Sequence, residues 1–299
     1  MTSLIAATIL FNKTIPRSES SASATKLSGG SWGKHRRLLD ESRKWLDNQP
    51  CEQLSITSFD GLRLSGYYYP VQGGSDCLVI AFNGYRSNSR GQYSHITKYL
   101  NGLGIDVLLV DNRAHGESEG EYVGFGVLDR LDCRKWVEFM NEKLHHSCSI
   151  YIYGVSMGGA TVLMATGLDL PAEVKGVISD CGFTTPRDVF KHVLNKRYHL
   201  PSLRILEAAN KICLRTAKYD IGGASAVEAV KGSTIPLLVI HGEKDDFVPA
   251  WMAPEIYNTS AAKHKKLLMV KNAYHAESYF IDMENYQKTF IEFINETKR

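Results

Sequence analysis

Short apolar runs recur along most of this chain, and each is followed by a stretch with amphipathic spacing. The runs at 77–82, 105–110, 149–153, 174–179, 237–240 and 267–270 are nearly continuous in aliphatic and aromatic residues. Strands of that kind are buried on both faces, as in a parallel sheet covered by helices. Between them, 93–103 and 127–144 read as helices. In the second, Val127, Leu131, Trp136, Val137, Met140 and Leu144 form one stripe. Phe280, Met283, Tyr286, Phe290 and Phe293 predict a closing helix over 279–293.

The rhythm differs at two places. Upstream, 54–59 and 62–69 alternate about Asp60-Gly61, a hairpin signal in which both turn residues are expected to take positive φ. Residues 34–47 are highly charged, with Leu38, Leu39 and Trp45 spaced for a surface helix. Between Gly182 and Ile235 no buried strand is evident. Val189, Phe190, Val193 and Leu194, then Leu203 and Leu206, have helical spacing, interrupted by Pro201. A helical insertion leaving the carboxyl edge of the sheet is expected there, where such insertions commonly cover active sites. The expected organisation is an N-terminal extension over 1–50 and an α/β domain over 51–299, with a small cap inserted at 182–235.

Residues 18–31, rich in Ser, Ala and Gly, read as a linker or exposed loop. Residues 4–11 are apolar but far too short to span a bilayer, and Lys13 and Arg17 follow them. Three readings stand: a helix docked on the domain, which is preferred, a segment lying on a membrane surface, or the remnant of a longer anchor.

Composition narrows the class. An apolar content of 43% in 299 residues supports a sizeable core. Thirty-five basic residues against 32 acidic ones leave a net charge of +3, which argues against a nucleic-acid partner. Cys51, Cys77, Cys133, Cys148, Cys181 and Cys213 form no C-x-x-C pair. They read as buried free thiols, in keeping with a cytoplasmic protein, membrane-peripheral in the alternative reading of the N-terminus. Nothing signals a metal or an organic cofactor, and none is expected.

The chemistry concentrates at Gly154-Val155-Ser156-Met157-Gly158. An apolar strand leads into this G-x-S-x-G motif and a helical run leads out. A serine on that sharp turn stands clear of the sheet edge, and glycines allow the two segments to approach. A serine hydroxyl needs a base, and the base needs an orienting partner. Candidates at the carboxyl ends of later strands are Asp245, in His241-Gly242-Glu243-Lys244-Asp245, and His275, in Lys271-Asn272-Ala273-Tyr274-His275.

With these residues, and with Asp111-Asn112-Arg113-Ala114-His115-Gly116-Glu117-Ser118, the chain resembles the α/β-hydrolase superfamily from about Leu54 onward. Within it, the chain is most similar to bacterial single-domain esterases and their serine-aminopeptidase-like relatives. The resemblance implies an eight-stranded, mostly parallel sheet whose second strand is antiparallel. It implies Ser156 as nucleophile, His275 as general base and Asp245 as the acid that orients it. Asp246 and Asp180 are rivals for the last role, and family spacing after His-Gly selects Asp245. It also implies an oxyanion hole from the backbone N–H groups of Met157 and Tyr85, with Asn83 where the family usually has histidine. Arg113, His115 and His241 are expected to brace loops, and Arg86 to be an exposed arginine. The basic residues Arg187, Lys191, His192, Lys196, Arg197 and His199 read as an anion-attracting surface or a solvated helix face.

The activity these features imply is hydrolysis of a small-molecule carboxylic ester through an acyl-enzyme. A peptidase, thioesterase or acyltransferase on the same triad is the alternative, since the fold hosts all of them. A binding protein without catalysis is a third reading.

Overall fold

A computed structural model describes residues 2–18 and 32–298. All of the expected linker but Ser18 lies outside the described residues. The sheet has eight strands: β1 (Glu52–Thr57), β2 (Arg63–Tyr69), β3 (Cys77–Phe82), β4 (Asp106–Val110), β5 (Ser149–Val155), β6 (Val174–Asp180), β7 (Leu237–Gly242) and β8 (Lys265–Val270). Their order is β1-β2-β4-β3-β5-β6-β7-β8. β2 runs antiparallel to both neighbours, and every pairing from β4 to β8 is parallel. This is the α/β-hydrolase fold.

The helices are α1 (Thr2–Thr14), α2 (Arg36–Asp47), α3 (Ser89–Gly102), α4 (Asp129–Lys143), α5 (Met157–Ala165), α6 (Pro186–Arg197), α7 (Ser202–Thr216), α8 (Ala226–Gly232), α9 (Met252–Thr259), α10 (Ser278–Ile281) and α11 (Met283–Thr297). Successive strand residues point to opposite faces, so each strand feeds two cores. Leu78, Ile80 and Phe82 pack with Trp136, Val137 and Met140 of α4 and with α5. Cys77, Val79 and Ala81 pack on the other face with Tyr93 and Ile96 of α3 and Phe290 and Phe293 of α11. β3 is buried along its whole length, as its unbroken apolar run requires.

Three expectations are corrected. The β1–β2 connection is a five-residue loop, 58–62, and only Gly61 has positive φ (+92°). Asp60 is drawn into a fork with the Arg113 guanidinium at 2.9 and 3.1 Å, which a tight two-residue turn would not allow. The closing helix is broken at Asp282 (φ −137°, ψ 65°). Its first part, α10, closes the loop that carries His275, and α11 then turns to lay Tyr286, Phe290 and Phe293 on the sheet. Cys51 is exposed, while the other five cysteines are buried and all six are free.

The excursion between β6 and β7 is α6, α7 and α8. α1 docks on it, with Ala7 and Phe11 buried in the same core as Ile205, Leu206 and Ala209 of α7. The N-terminal segment continues along the domain. Val123 N–H donates to the Ile15 carbonyl at 2.7 Å, and the Arg17 guanidinium donates to the carbonyls of Ser118 and Gly116 at 2.5 and 2.6 Å. Among the described residues, no helix is long and apolar enough to cross a membrane.

Candidate active site

Ser156 sits between the end of β5 and the start of α5 with φ +58° and ψ −116°. A non-glycine residue held there stores roughly 1–3 kcal/mol of strain, which the surroundings must overcome. They do so by close packing. A Cβ on Gly158 would lie 1.7 Å from the Phe82 carbonyl oxygen, and one on Gly154 would lie 2.1 Å from the Gly158 backbone. Ser156 N–H donates to the Asp180 carbonyl at 2.8 Å, fixing the turn to β6. Tyr93, which no sequence motif singles out, ties β3 to the same turn. Its hydroxyl donates to Phe82 O at 2.6 Å and accepts from Val155 N–H at 3.0 Å.

The structure brings Ser156, His275 and Asp245 together from the ends of β5, β8 and β7. His275 Nε2 lies 2.8 Å from Ser156 Oγ, and His275 Nδ1 lies 2.7 Å from Asp245 Oδ2. All three residues are buried. A carboxylate on Nδ1 selects the tautomer that leaves Nε2 free to accept the serine proton. Asp245 is itself fixed. Its Oδ1 accepts from the N–H groups of Phe247 and Val248 at 3.0 and 2.9 Å. Burial alone would raise its pKa, but the imidazoles of His275 and His241 outweigh it and hold the carboxyl well below the usual carboxylate range. His241 Nε2–H donates to Val248 O at 3.0 Å and approaches Asp245 Oδ2 at 3.3 Å. Burial opposes its charge, yet Asp245 raises its pKa overall.

The two rival acids lie elsewhere. Asp246 is exposed, and its carbonyl accepts from His192 Nε2–H at 2.8 Å. Asp180 is buried, and its Oδ2 accepts from the Tyr286 hydroxyl at 3.0 Å. Burial pushes the Asp180 carboxyl up to about 6 despite that bond.

Tyr85 and Met157 both line the cavity that opens on Ser156. Met157 is the first residue of α5, where N–H groups have no partner within the helix. The loop carrying Tyr85 is braced on several sides. Asn83, in the histidine position, donates to the carbonyls of Gly84 and Ser87 at 2.9 and 3.0 Å and accepts from Asn112 N–H at 2.9 Å. His115 Nδ1–H donates to Arg113 O at 2.8 Å, leaving Nε2 to accept from Arg86 N–H at 3.0 Å. Burial lowers the His115 pKa, which suits that neutral form. Arg113 is buried against Asp132 at 2.6 Å, a structural pair. Arg86 departs from the expected exposed role: its guanidinium donates to the Lys13 carbonyl at the end of α1 and lies 4.9 Å from the centre of the Tyr85 ring.

The cavity measures about 320 Å³. Ala6, Ile9 and Leu10 of α1 form one wall, and Val189, Phe190 and Val193 of α6 form another. The place of α1 as a cavity wall is not read from the sequence; the one signal there is a helix apolar on more than one side. Among the described residues one cluster has metal-ligand spacing: donor atoms of Cys181, Asp245 and His275 lie within 4.8 Å of one another. Asp245 and His275 bond each other, and burial pushes the Cys181 thiol far above its ordinary value. The cluster therefore offers no free set of deprotonated ligands.

The fold is that of the α/β hydrolases, and the chain is similar to members of that superfamily. Residues 74–218 match the family model described as serine aminopeptidase, S33. The chain is 28% identical to the uncharacterized protein YqkD of Bacillus subtilis over 249 residues, 82% of this chain and 81% of that one. It is 27% identical to the human monoglyceride lipase over 252 residues, 74% of this chain and 82% of the lipase. An esterase from Pyrococcus furiosus superposes with a TM-score of 0.69 at 21% identity, covering 86% of this chain and 94% of the esterase.

Proposed function

We propose that this protein is a serine hydrolase that cleaves carboxylic esters bearing an apolar acyl chain. The observation that carries the reading is the hydrogen-bonded series Ser156–His275–Asp245, at 2.8 and 2.7 Å, opening into an apolar cavity. His275 Nε2 takes the hydroxyl proton as Ser156 Oγ attacks the ester carbonyl. Asp245 holds the imidazolium that results. The N–H groups of Met157 and Tyr85 receive the developing oxyanion, worth about 3–4 kcal/mol per donor in such sites. His275 returns the proton to the leaving alcohol, and water repeats the sequence on the acyl-enzyme.

The cavity also favours an ester over a peptide amino terminus. Its described lining carries no carboxylate to hold an ammonium group, and its charged members, Lys13 and Arg86, are both cations. Relatives bearing the names lipase and esterase support the same choice.

The test is a panel of p-nitrophenyl esters, acyl thioesters and aminoacyl anilides, run beside fluorophosphonate labelling. The expected result is highest kcat/KM on esters of medium acyl length, labelling at Ser156, and a loss of about 10⁵–10⁶ in kcat for Ser156→Ala. Faster turnover of anilides would replace the ester by an amide. Near-normal turnover by Ser156→Ala would end the serine-hydrolase reading.

A further inference from the structure

α1 carries apolar residues on more than one side, and its water-facing side mixes Leu4, Ile5 and Ile9 with Thr8 and Asn12. Ala7 and Phe11 enter the core, and Ala6 and Leu10 line the cavity. Leu4, Ile5 and Ile9 point outward, exposed to 60%, 57% and 50%. A helix half-sunk in a soluble domain ordinarily presents mainly polar residues to water, and three large aliphatic side chains on that side depart from this.

The apolar surface continues across the mouth of the cavity. At the corner between α6 and α7, Tyr198 is 57% exposed and Leu203 61%. Ile9 and Tyr198 both line the cavity and are exposed, so the patch rims the entrance. Leu4 shares a surface cleft with Arg204, Lys211 and Arg215, with Glu207 the acid among them. Single exposed apolar residues are ordinary, but a contiguous group around a cavity mouth marks an interaction site.

Charge indicates the partner. Residues 2–17 and 189–206 supply the rim and contain no Asp or Glu, while they carry Lys13, Arg17, Lys191, Lys196, Arg197 and Arg204. The whole chain has a net charge of only +3, so this cationic excess is local. Outward leucine and isoleucine set among lysine and arginine that outnumber the nearby acids, Glu207 and Asp246, match a bilayer surface, where apolar side chains enter the acyl boundary and cations meet anionic headgroups.

We propose that the outer face of α1 and the α6–α7 corner together dock the protein on an anionic lipid surface, with the cavity mouth turned toward the acyl chains. That a lipid ester then enters the cavity rests on the ester-hydrolase reading. The docking does not, and it is measured without turnover.

The experiment is flotation of the full chain with phosphatidylcholine vesicles containing phosphatidylglycerol, beside vesicles of phosphatidylcholine alone. The wild type is expected to float with the anionic vesicles and far less with the neutral ones. Leu4→Asp/Leu203→Asp is expected to remain at the bottom. Lys196→Gln and Arg204→Gln should each weaken partitioning about fivefold. None of these four residues lines the cavity, so turnover of a short soluble ester should match the wild type and report a native fold. A wild type that stays at the bottom overturns the proposal, as does equal flotation of the Leu4→Asp/Leu203→Asp protein. Self-association of the wild type without vesicle binding would assign the same patch to a second copy of the chain and also overturn it. If docking holds but the ester panel shows no turnover, only the function proposed above fails.

Discussion

The Tyr85 hydroxyl donates to the Thr14 carbonyl at 2.9 Å, tying the last turn of the N-terminal helix to the loop that lies over Ser156. The Tyr85 ring also packs on Phe125, with centroids 5.1 Å apart. The Tyr85 side chain therefore couples the loop to the N-terminal helix, on the same residue whose backbone N–H is the proposed oxyanion donor. Tyr85→Phe keeps the ring contact and removes the bond, which is worth about 1 kcal/mol. We expect kcat on a soluble ester to fall severalfold with little change in KM, and the segment around α1 to be cut faster in limited proteolysis. Unchanged kcat would separate the helix from the proposed oxyanion donor.

Two buried carboxylates stand near His275, and only one touches it. Asp245 bonds Nδ1 at 2.7 Å, whereas Asp180 bonds the Tyr286 hydroxyl at 3.0 Å. Replacing Asp245 by Asn puts an amide opposite Nδ1, where the NH₂ favours the wrong tautomer. Asp245→Asn should lower kcat by about 10⁴ and also lower the melting temperature near neutral pH, because the charged carboxylate that His275 and His241 stabilise is lost. Asp180→Asn should stay within a few fold of wild-type kcat. If the two losses were exchanged, the acid would belong to the end of β6 and the assignment from β7 would be wrong.

Asp180 instead leaves its mark on stability. Its carboxyl titrates near 6 in the folded protein against an ordinary 3.8, because burial disfavours the charged form. The native state therefore binds this proton more tightly than the unfolded chain does. Stability falls as pH rises from about 4 to about 6, and the loss persists above that window. The shift corresponds to about 3 kcal/mol at most. Asn at this position can still accept the Tyr286 hydrogen and carries no charge. Thermal melts from pH 4 to pH 8 should show Asp180→Asn and wild type nearly equal at the acid end. The variant should gain several degrees above pH 7. A pH-independent difference would assign the effect to packing.

Much of this architecture could be read from the chain because the strongest constraints are local. β3, β4, β5 and β7 are nearly continuous apolar runs, and only a sheet covered on both faces hides them. The turn at Ser156 is legible because Gly154 and Gly158 occupy places where no Cβ fits. Asp245 and His275 follow strand ends in an order that leaves few alternatives. What escaped depends on partners far away in sequence. The width of the 58–62 loop is set by Arg113, 53 residues downstream of Asp60. Tyr93 reads as an ordinary apolar helix position, and its bonds to Phe82 and Val155 appear only once α3 lies against the sheet. α1 has no amphipathic stripe to read, because it faces the core, the cavity and the surface in turn.

On the proposed ester-hydrolase reading, the cavity walls set acyl-chain length at a site remote from Ser156, His275 and Asp245. Val193 of α6 and Ile9 of α1 line the same space of about 320 Å³. Val193 is half-buried, so a larger side chain can occupy the cavity without displacing the core beneath Leu194. Val193→Trp should fill much of that space while leaving Ser156, His275 and Asp245 where they are. Acetyl and propionyl esters, which need little room, should retain kcat/KM within a few fold of wild type. Longer acyl chains should lose about 10–200-fold, the range that one or two apolar groups command in a pocket. The measurement is kcat/KM across p-nitrophenyl esters of increasing acyl length. A uniform loss at every length would mean that the introduced indole disturbs the triad, and no loss at any length would place the acyl chain outside the space between α1 and α6.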